Sequence, residues 1–336
     1  MLPAPGISAV NTSVVLVIYH RPDLTARVFE RIRDAKPPRL FLVADGPKDD
    51  ADAVKCRQAR EAVAEVDWPC ETLRDYCDEN IGSRRRVSSG LDWVFSLVDE
   101  AIILEDDCLP HPAFFRFCEE LLDHYRGDRR IGHIAGSDLR PNPNPLPYSY
   151  YFSRYPSVWG WATWRRAWSE FDVDMETLDE VERERRHFAM FATRKEARYF
   201  MRSWKDILAQ EVDAWDGQWL FCRRLHNTLC INPNGNLVTN IGFRHDATHT
   251  KDTQHPFAEV CLQGMEFPLR HPPNIVCNEQ VDRERARAEF LRRQGLIRRL
   301  IMKLSNKHFY GALVRKIPLA GGLWARHKQR RRGDLS

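Results

Sequence analysis

Three consecutive acids, Glu105, Asp106 and Asp107, come directly after the apolar run Ala101–Leu104. The run and the following Pro110 predict a buried strand that ends in a polar loop. Because clustered carboxylates repel one another unless a cation or a proton neutralises them, this strand end is a candidate metal site. Carboxylate oxygens suit Mg2+ or Mn2+. A solvent-exposed acidic loop is the alternative interpretation.

A second feature is a run of four tryptophans within the ten residues 159–168. Tryptophan is mostly a core residue, so a packed aromatic core is the simpler interpretation. The alternative is a platform on which a sugar or a nucleobase stacks against an indole ring. Gly160, between Trp159 and Trp161, indicates a close backbone approach and favours the platform.

Two more acids, Asp213 and Asp216, lie among aromatic residues just before an apolar helical stretch. A carboxylate partly desolvated by Trp215 and Trp219 would have a raised pKa, which suits it to accept a proton. Capping of a helix that begins near Gln218 is the alternative role for Asp216.

Alternating strands and helices must position these residues. Apolar runs at 14–19 and 39–44 predict buried strands, and helical spacing predicts helices over 23–35 and 50–66. This alternation predicts parallel strands joined by right-handed crossovers, which is a doubly wound α/β arrangement. In such folds ligands bind at the carboxyl ends of the strands, where the three acids also lie.

Further elements precede and follow a proline-rich loop at 141–147, in which regular structure cannot continue. The predicted elements are a strand at 71–76, a helix at 87–98, the acidic strand at 101–104, a helix at 113–125 and a strand at 131–135, then helices within 170–209, a helix at 220–225 and strand structure at 229–238. The loop therefore separates two halves of the chain.

The composition is that of a soluble globular protein, with 336 residues, 43% hydrophobic and 29% charged, and a net charge of +4. This length suits one large domain or two medium ones. The nine cysteines include no Cys-x-x-Cys pair, which argues against a zinc knuckle or a complete disulfide framework and favours reduced thiols. No segment approaches the ~18 apolar residues of a spanning helix, and the first residues lack a signal-peptide pattern. We therefore expect a cytoplasmic protein.

The basic excess lies mainly in residues 281–336. Leucine and isoleucine alternate there with arginine and lysine, a basic amphipathic pattern that can bind an anionic membrane surface. A helix packed on the domain with a solvated basic face is the alternative. No nucleic-acid recognition motif accompanies the charge, so nucleic acid is not an expected partner.

Taken together, the motifs resemble those of the GT-A-type glycosyltransferases, and are most similar to the N-acetylglucosaminyltransferase I group and related bacterial (family 2-like) glycosyltransferases. The similarity covers about 14–250. Four motifs carry it: Tyr19-His20-Arg21-Pro22, Ala44-Asp45-Gly46, Asn80-Ile81-Gly82 with Arg84-Arg85-Arg86, and Glu105-Asp106-Asp107 with Pro112 and Phe114-Phe115. The resemblance implies a Rossmann-like mixed sheet flanked by helices, with a nucleotide-sugar-binding half at 1–140, an acceptor-binding and catalytic half at 141–280 and a basic helical tail at 281–336.

The resemblance also implies a metal site. In the family the last acid of the triplet contacts the metal, which falls on Asp107, while Glu105 and Asp106 lie near the ribose and the sugar. His249 resembles a histidine that reaches the metal or the diphosphate, and a neutral imidazole can ligate Mn2+. A hydrogen-bonded loop histidine is the alternative. The implied cofactor, Mn2+ or Mg2+, would offset the charge that develops on the leaving diphosphate.

The implied nucleotide contacts are Arg21, in the turn after the first strand, and Asp45, near the base. In the run Arg84–Arg86, Arg85 is the favoured phosphate ligand, although such a run is as often a solvated helix face. Trp161 is the expected stacking residue.

The family places its catalytic base in a Trp-Asp-x-Trp-like segment. The matching segment here, Trp215–Trp219, is one residue longer, so Asp216 and Asp213 are both candidates, with Asp216 preferred. The base would take the proton of an acceptor hydroxyl as its oxygen attacks the anomeric carbon. Direct attack inverts the anomeric configuration.

The resemblance thus implies an inverting, metal-dependent hexosyl- or N-acetylhexosaminyltransferase that uses a nucleotide-diphosphate sugar, with UDP-N-acetylhexosamine the family-weighted donor. The expected acceptor is a glycan or lipid-linked glycan of envelope polysaccharide synthesis, at the inner face of the cytoplasmic membrane. A sugar-nucleotide pyrophosphorylase is one alternative, but it should show a glycine-rich loop where His20–Asp23 stands. A catalytically inactive binding module is another, but it would be expected to lose the acids.

Overall fold

The computed structural model describes residues 9–140, 145–210, 212–243 and 260–288. The chain divides into two units, Met1–Glu284 and Arg285–Ser336, and all the elements below belong to the first. In chain order they are β1 (Val14–Ile18), α1 (Pro22–Ala35), β2 (Arg39–Ala44), α2 (Asp50–Glu61), β3 (Glu71–Tyr76), α3 (Gly82–Leu97), β4 (Glu100–Glu105), β5 (Cys108–Pro110), α4 (Ala113–His124), β6 (Ile131–Ala135), β7 (Tyr150–Ser153), β8 (Trp161–Trp164), α5 (Arg165–Trp168), α6 (Leu178–Arg183), α7 (Arg194–Leu208), α8 (Asp216–Leu225), β9 (Leu229–Pro233) and β10 (Val238–Asn240), with a short 3-10 helix at Arg186–Phe188. His249 and most of the predicted basic tail lie outside the described residues.

Eight of the strands form one mixed sheet in the order β3-β2-β1-β4-β8-β6-β9-β7. Strands β3, β2, β1 and β4 are parallel, as their alternation with helices predicts. Strand β8 is antiparallel to both β4 and β6, and β9 is parallel to β6, so β4, β6 and β9 end at the same edge. The predicted mixed sheet flanked by helices is confirmed.

Helix α1 shows how local sequence places an element on the sheet. It begins at Pro22, whose ring fixes a helical φ and whose missing N–H costs nothing in the first turn. Its buried side chains include Leu24, Val28 and Ile32, which share one face at helical spacing. Burial of each contributes roughly 1.5–3 kcal/mol relative to exposure. The helix predicted over 23–35 is therefore confirmed.

Two predicted helices have different bounds. Helix α2 ends at Glu61 rather than at residue 66, where the N–H of Val63 bonds the carbonyl of Arg60 in a tighter turn. Helix α3 begins at Gly82 instead of residue 87, because carboxylates distant in sequence accept the N–H groups at its start.

The tryptophan run contains a strand that its sequence pattern did not reveal. Residues Trp161–Trp164 form β8, in the middle of the sheet, and all four are buried. A short apolar run of this kind cannot be distinguished from buried helix by periodicity alone. Among the described residues, no helix is long and apolar enough to cross a bilayer.

Candidate functional site

The candidate site lies at the carboxyl edge of three neighbouring parallel strands. Strand β1 lies between β2 and β4, so the residues that follow these strands meet at one place. They are the segments 19–21, 45–46 and 106–107. This is the sheet edge at which α/β folds bind ligands.

Arg21 connects the first segment to the acids. Its Nη1 lies 2.7 Å from Asp107 Oδ2, and its Nη2 lies 2.9 Å from Asp106 Oδ1. The backbone N–H of Tyr19 also donates to Asp106 Oδ2, at 3.2 Å. One turn after β1 therefore holds both aspartates, and charge-assisted bonds of this kind are among the stronger ones in proteins.

The acids repel one another, and Arg21 offsets only part of that repulsion. Burial, followed by the charges of Asp107 and Asp106, raises the pKa of Glu105 to about 8. Burial also raises the pKa of Asp106 to about 6, although the Arg21 guanidinium acts in the opposite direction. The raised pKa values mean that negative charge is unfavourable in this cluster, so a proton or an additional cation would stabilise it.

The donor set fits Mn2+ or Mg2+ bound by few protein ligands. Among the described residues, no group of three or more acids, histidines or cysteines has metal-binding geometry. Mg2+ is commonly held by one or two carboxylates together with substrate phosphates, not by an all-protein cage. Asp107, which is 7% exposed, can supply such a carboxylate.

Gly242 closes the site from the second half of the chain. Strand β10 pairs with β5, and the N–H of Ile241 then donates to the Asp107 carbonyl at 2.8 Å. A Cβ on Gly242 would lie 2.4 Å from Asp107 Oδ2 and 2.8 Å from Arg21 Nη1. Only glycine fits there without displacing the carboxylate. Sequence reasoning missed this residue, since its closeness to Asp107 depends on the β5–β10 pairing.

Asp45 braces the loop before α3. It is 5% exposed and accepts the backbone N–H groups of Gly46, Ile81 and Gly82 at 2.9, 3.0 and 3.1 Å. The side chain of Asn80 donates to it at 2.9 Å. The carboxylate therefore shapes this loop, while its contact with a nucleotide stays a prediction.

The three arginines at the start of α3 have different environments. Arg86 is buried and pairs with Asp75, so it fastens α3 to β3. Arg84 pairs with Asp174 at 2.7 Å. The Arg85 side chain is exposed and has no hydrogen-bond or ion-pair partner within the described part of the chain. Of the three, Arg85 is thus the one that an anionic ligand could bind without breaking an ion pair.

The two candidate bases also differ. Both carboxylate oxygens of Asp213 accept backbone N–H groups at the start of α3, from Ser83 and Arg84 at 2.9 Å each. Asp216 is the first residue of α8, not its N-cap, and it is exposed. Its charge helps to raise the pKa of Glu105, which places it within electrostatic reach of the acids. Asp216 therefore acts on Glu105 through its charge, while Asp213 caps α3; the choice of the base stays a prediction.

The platform predicted at Trp161 is wrong, because no part of that ring is accessible. Trp161 is 0% exposed and stacks on Trp215 and His133, with ring centroids 5.4 and 5.2 Å away. The core interpretation of the tryptophan run is correct for this ring. Trp159 is the one tryptophan of the run with a partly exposed ring, and it meets Phe243 edge-on at 5.6 Å.

Comparison with known proteins finds a structural similarity but no matching family. No protein-family model and no curated protein matches the chain. Similar solved structures include the mannosyltransferase PcManGT from Pyrobaculum calidifontis in complex with GDP-Man and Mn2+, with 16% identity and a TM-score of 0.34. The match spans about half of each protein, 52% of this chain and 52% of that one. A likeness of this size assigns the chain to no family, and none of the comparisons links it to the N-acetylglucosaminyltransferase I group.

Proposed function

We propose that the protein is an inverting, metal-dependent glycosyltransferase that moves a sugar from a nucleoside-diphosphate donor to a hydroxyl of a glycan acceptor. The observation that carries this proposal is the group of acids at the end of β4, held by Arg21 from β1 and within electrostatic reach of Asp216. An acid cluster and an arginine at one sheet edge, together with an exposed carboxylate whose charge acts on the cluster, are the parts that such a transfer needs.

Asp107 would hold Mn2+ or Mg2+, with His249 as the second protein ligand implied by the resemblance. When bound, the ion would neutralise charge that develops on the departing diphosphate. Arg21 and the exposed Arg85 bring positive charge to the same anion. Asp45 holds the loop that leads into α3 and so fixes the position of Arg85.

Asp216 is the proposed general base. It would accept the proton of the acceptor hydroxyl at a carboxylate oxygen while that hydroxyl oxygen attacks the anomeric carbon. Asp213 is less suitable, because both of its carboxylate oxygens already accept backbone N–H groups at the start of α3. This difference supports the choice of Asp216.

The identities of the donor and the acceptor, and the roles of the two halves and of the tail, are inferred from the sequence resemblance. We infer a UDP-sugar donor, with a hexosyl or N-acetylhexosaminyl group, and a glycan or lipid-linked glycan acceptor in envelope polysaccharide synthesis. Residues 1–140 would bind the nucleotide sugar and residues 141–280 the acceptor. The basic residues within 281–336 would bring the protein to the anionic cytoplasmic face of a membrane.

The proposal is tested by assaying hydrolysis and transfer from a panel of UDP- and GDP-sugars with Mn2+. Asp216→Asn should lower transfer about 10²- to 10⁴-fold, the usual contribution of a general base, with nucleotide affinity unchanged. Asp213→Asn should retain activity. Normal transfer by Asp216→Asn together with loss in Asp213→Asn would move the base to Asp213. No reaction of the wild type with any donor would contradict the function.

A further inference from the structure

Arg21 occupies the place beside the acids that an added cation would need. Its guanidinium is the cationic group within ion-pair distance of Asp106 and Asp107 among the described residues. Its side chain is 19% exposed, so the residue remains partly accessible to solvent. The positive charge of this site is therefore supplied from within the protein.

Asp107 has both carboxylate oxygens engaged. Oδ2 accepts the Arg21 bond at 2.7 Å, and Oδ1 lies 3.4 Å from the Cys108 thiol, which can donate to it. The backbone of Gly242 covers the Oδ2 side, where a Cβ would be only 2.4 Å from that oxygen. A second cation at Asp107 must therefore share or replace the contact with Arg21.

We infer that Arg21 competes with a divalent cation for Asp107, and so determines how tightly the protein binds that cation before the donor arrives. This inference rests on the proposed function. Two positive charges at one carboxylate repel each other, so the guanidinium weakens cation binding for as long as it stays on Oδ2. The competition distinguishes Arg21 from a residue that merely positions Asp107, whose removal would weaken the binding of the cation.

A consequence concerns the order of binding. Arg21, once displaced from Asp107, has free N–H groups that match the oxygens of a diphosphate. A nucleoside diphosphate should therefore strengthen cation binding, and the cation should strengthen nucleotide binding by the same factor. Removal of the guanidinium should raise affinity for the cation alone and reduce this coupling.

The test is a titration of the full chain with Mn2+ alone, with free Mn2+ followed by its electron paramagnetic resonance signal. The variants are Arg21→Gln, Arg27→Gln and Asp107→Asn. Arg27 is an exposed arginine of α1, so Arg27→Gln makes the same charge change away from the acids. Arg21→Gln should bind Mn2+ about tenfold or more tightly than wild type, the scale on which one adjacent charge shifts an ionic equilibrium. Arg27→Gln should match wild type, and Asp107→Asn should bind no Mn2+ at this site.

If the wild type binds Mn2+ and a folded Arg21→Gln binds it equally or more weakly, the inference about Arg21 is wrong. The proposed metal dependence would still stand. No binding by wild type or Arg21→Gln, with or without UDP, would overturn the inference together with the proposed metal dependence. If Arg21→Gln fails to fold, arginine-labelled wild type can be titrated with Mg2+ and followed by NMR, with the Arg21 signals assigned through Arg21→Lys. Mg2+ should shift those signals, and unchanged signals would overturn the inference.

Discussion

The Asp213 carboxylate accepts a hydrogen bond from the backbone N–H of Ser83 at 2.9 Å, and the two residues are 130 positions apart in the chain. The N–H of Arg84 bonds the other oxygen at the same distance. The bonds fasten the segment before α8 to the amino end of α3, where a negative charge is stabilised by the helix dipole. Asp213 thus supports the site by holding the start of α3 in place.

We expect Asp213→Ala to lower the free energy of unfolding by about 1 kcal/mol, the usual cost of losing a helix cap. Asp216→Ala should lower it by less than about 0.5 kcal/mol, because Asp216 is an exposed residue of the first turn of α8. Urea denaturation of both variants measures the difference. Equal losses would show that the capping role assigned to Asp213 is wrong.

Gly242→Ala tests the close contact over Asp107, the proposed metal ligand. The new methyl group would displace the Asp107 carboxylate, so Mn2+ affinity should fall about 10- to 100-fold, as it does when the support of a metal ligand is disturbed. Gly127→Ala is the control, because nothing lies within 4 Å of a Cβ there. Equal Mn2+ affinity in the two variants would contradict the contact.

Glu196 on α7 should give stability a specific pH dependence. The residue is 2% exposed, and burial raises the pKa of its carboxyl, with the Arg224 guanidinium offsetting part of the effect. Between the unfolded and the higher folded pKa, the folded state binds more protons, so stability falls as pH rises through this window. Above its unfolded pKa, the buried carboxyl of Glu196 therefore lowers the free energy of unfolding.

Replacement of Glu196 by glutamine removes this titration. The stability of wild type relative to Glu196→Gln should decrease as pH rises above the unfolded pKa of glutamate, about 4.3, measured by denaturant unfolding at several pH values. Glu180→Gln, at an exposed position of α6, serves as the control and should show no such trend. A stability difference for Glu196→Gln that does not change with pH would contradict the effect of burial.

We expect Trp161 to stabilise the folded core and to make no contact with the ligand. Trp161→Phe should lower the free energy of unfolding by about 1 to 3 kcal/mol, since it removes part of a buried ring that stacks on Trp215 and His133. UDP affinity of the folded variant should equal that of the wild type. Weaker UDP binding with unchanged stability would show that Trp161 stacks against the ligand after all.

The elements predicted correctly from sequence are those whose signals are local. Strands β1 and β2 are continuous apolar runs, and α1 has an apolar face at regular spacing, so the positions of Arg21, Asp45 and Asp107 at strand ends followed from the pattern. Because strands and helices alternate, the strands were predicted to be parallel, and parallel strands end at the same edge of the sheet.

What the sequence could not show depends on distant contacts. The start of α3 is determined by Asp45 and Asp213, which are far from it in the chain. The approach of Gly242 to Asp107 requires the pairing of β5 with β10. The burial of Trp161 follows from the central place of β8, which no local pattern encodes.

The most direct test of a metal-dependent nucleotide-sugar site is calorimetric titration of UDP and GDP, with and without Mn2+, into wild type and Asp107→Ala. The proposed function predicts that UDP binds only with Mn2+ and that Asp107→Ala, although folded, abolishes this binding. Binding that persists in Asp107→Ala or needs no metal, or no binding of either nucleotide to folded wild type, would contradict it.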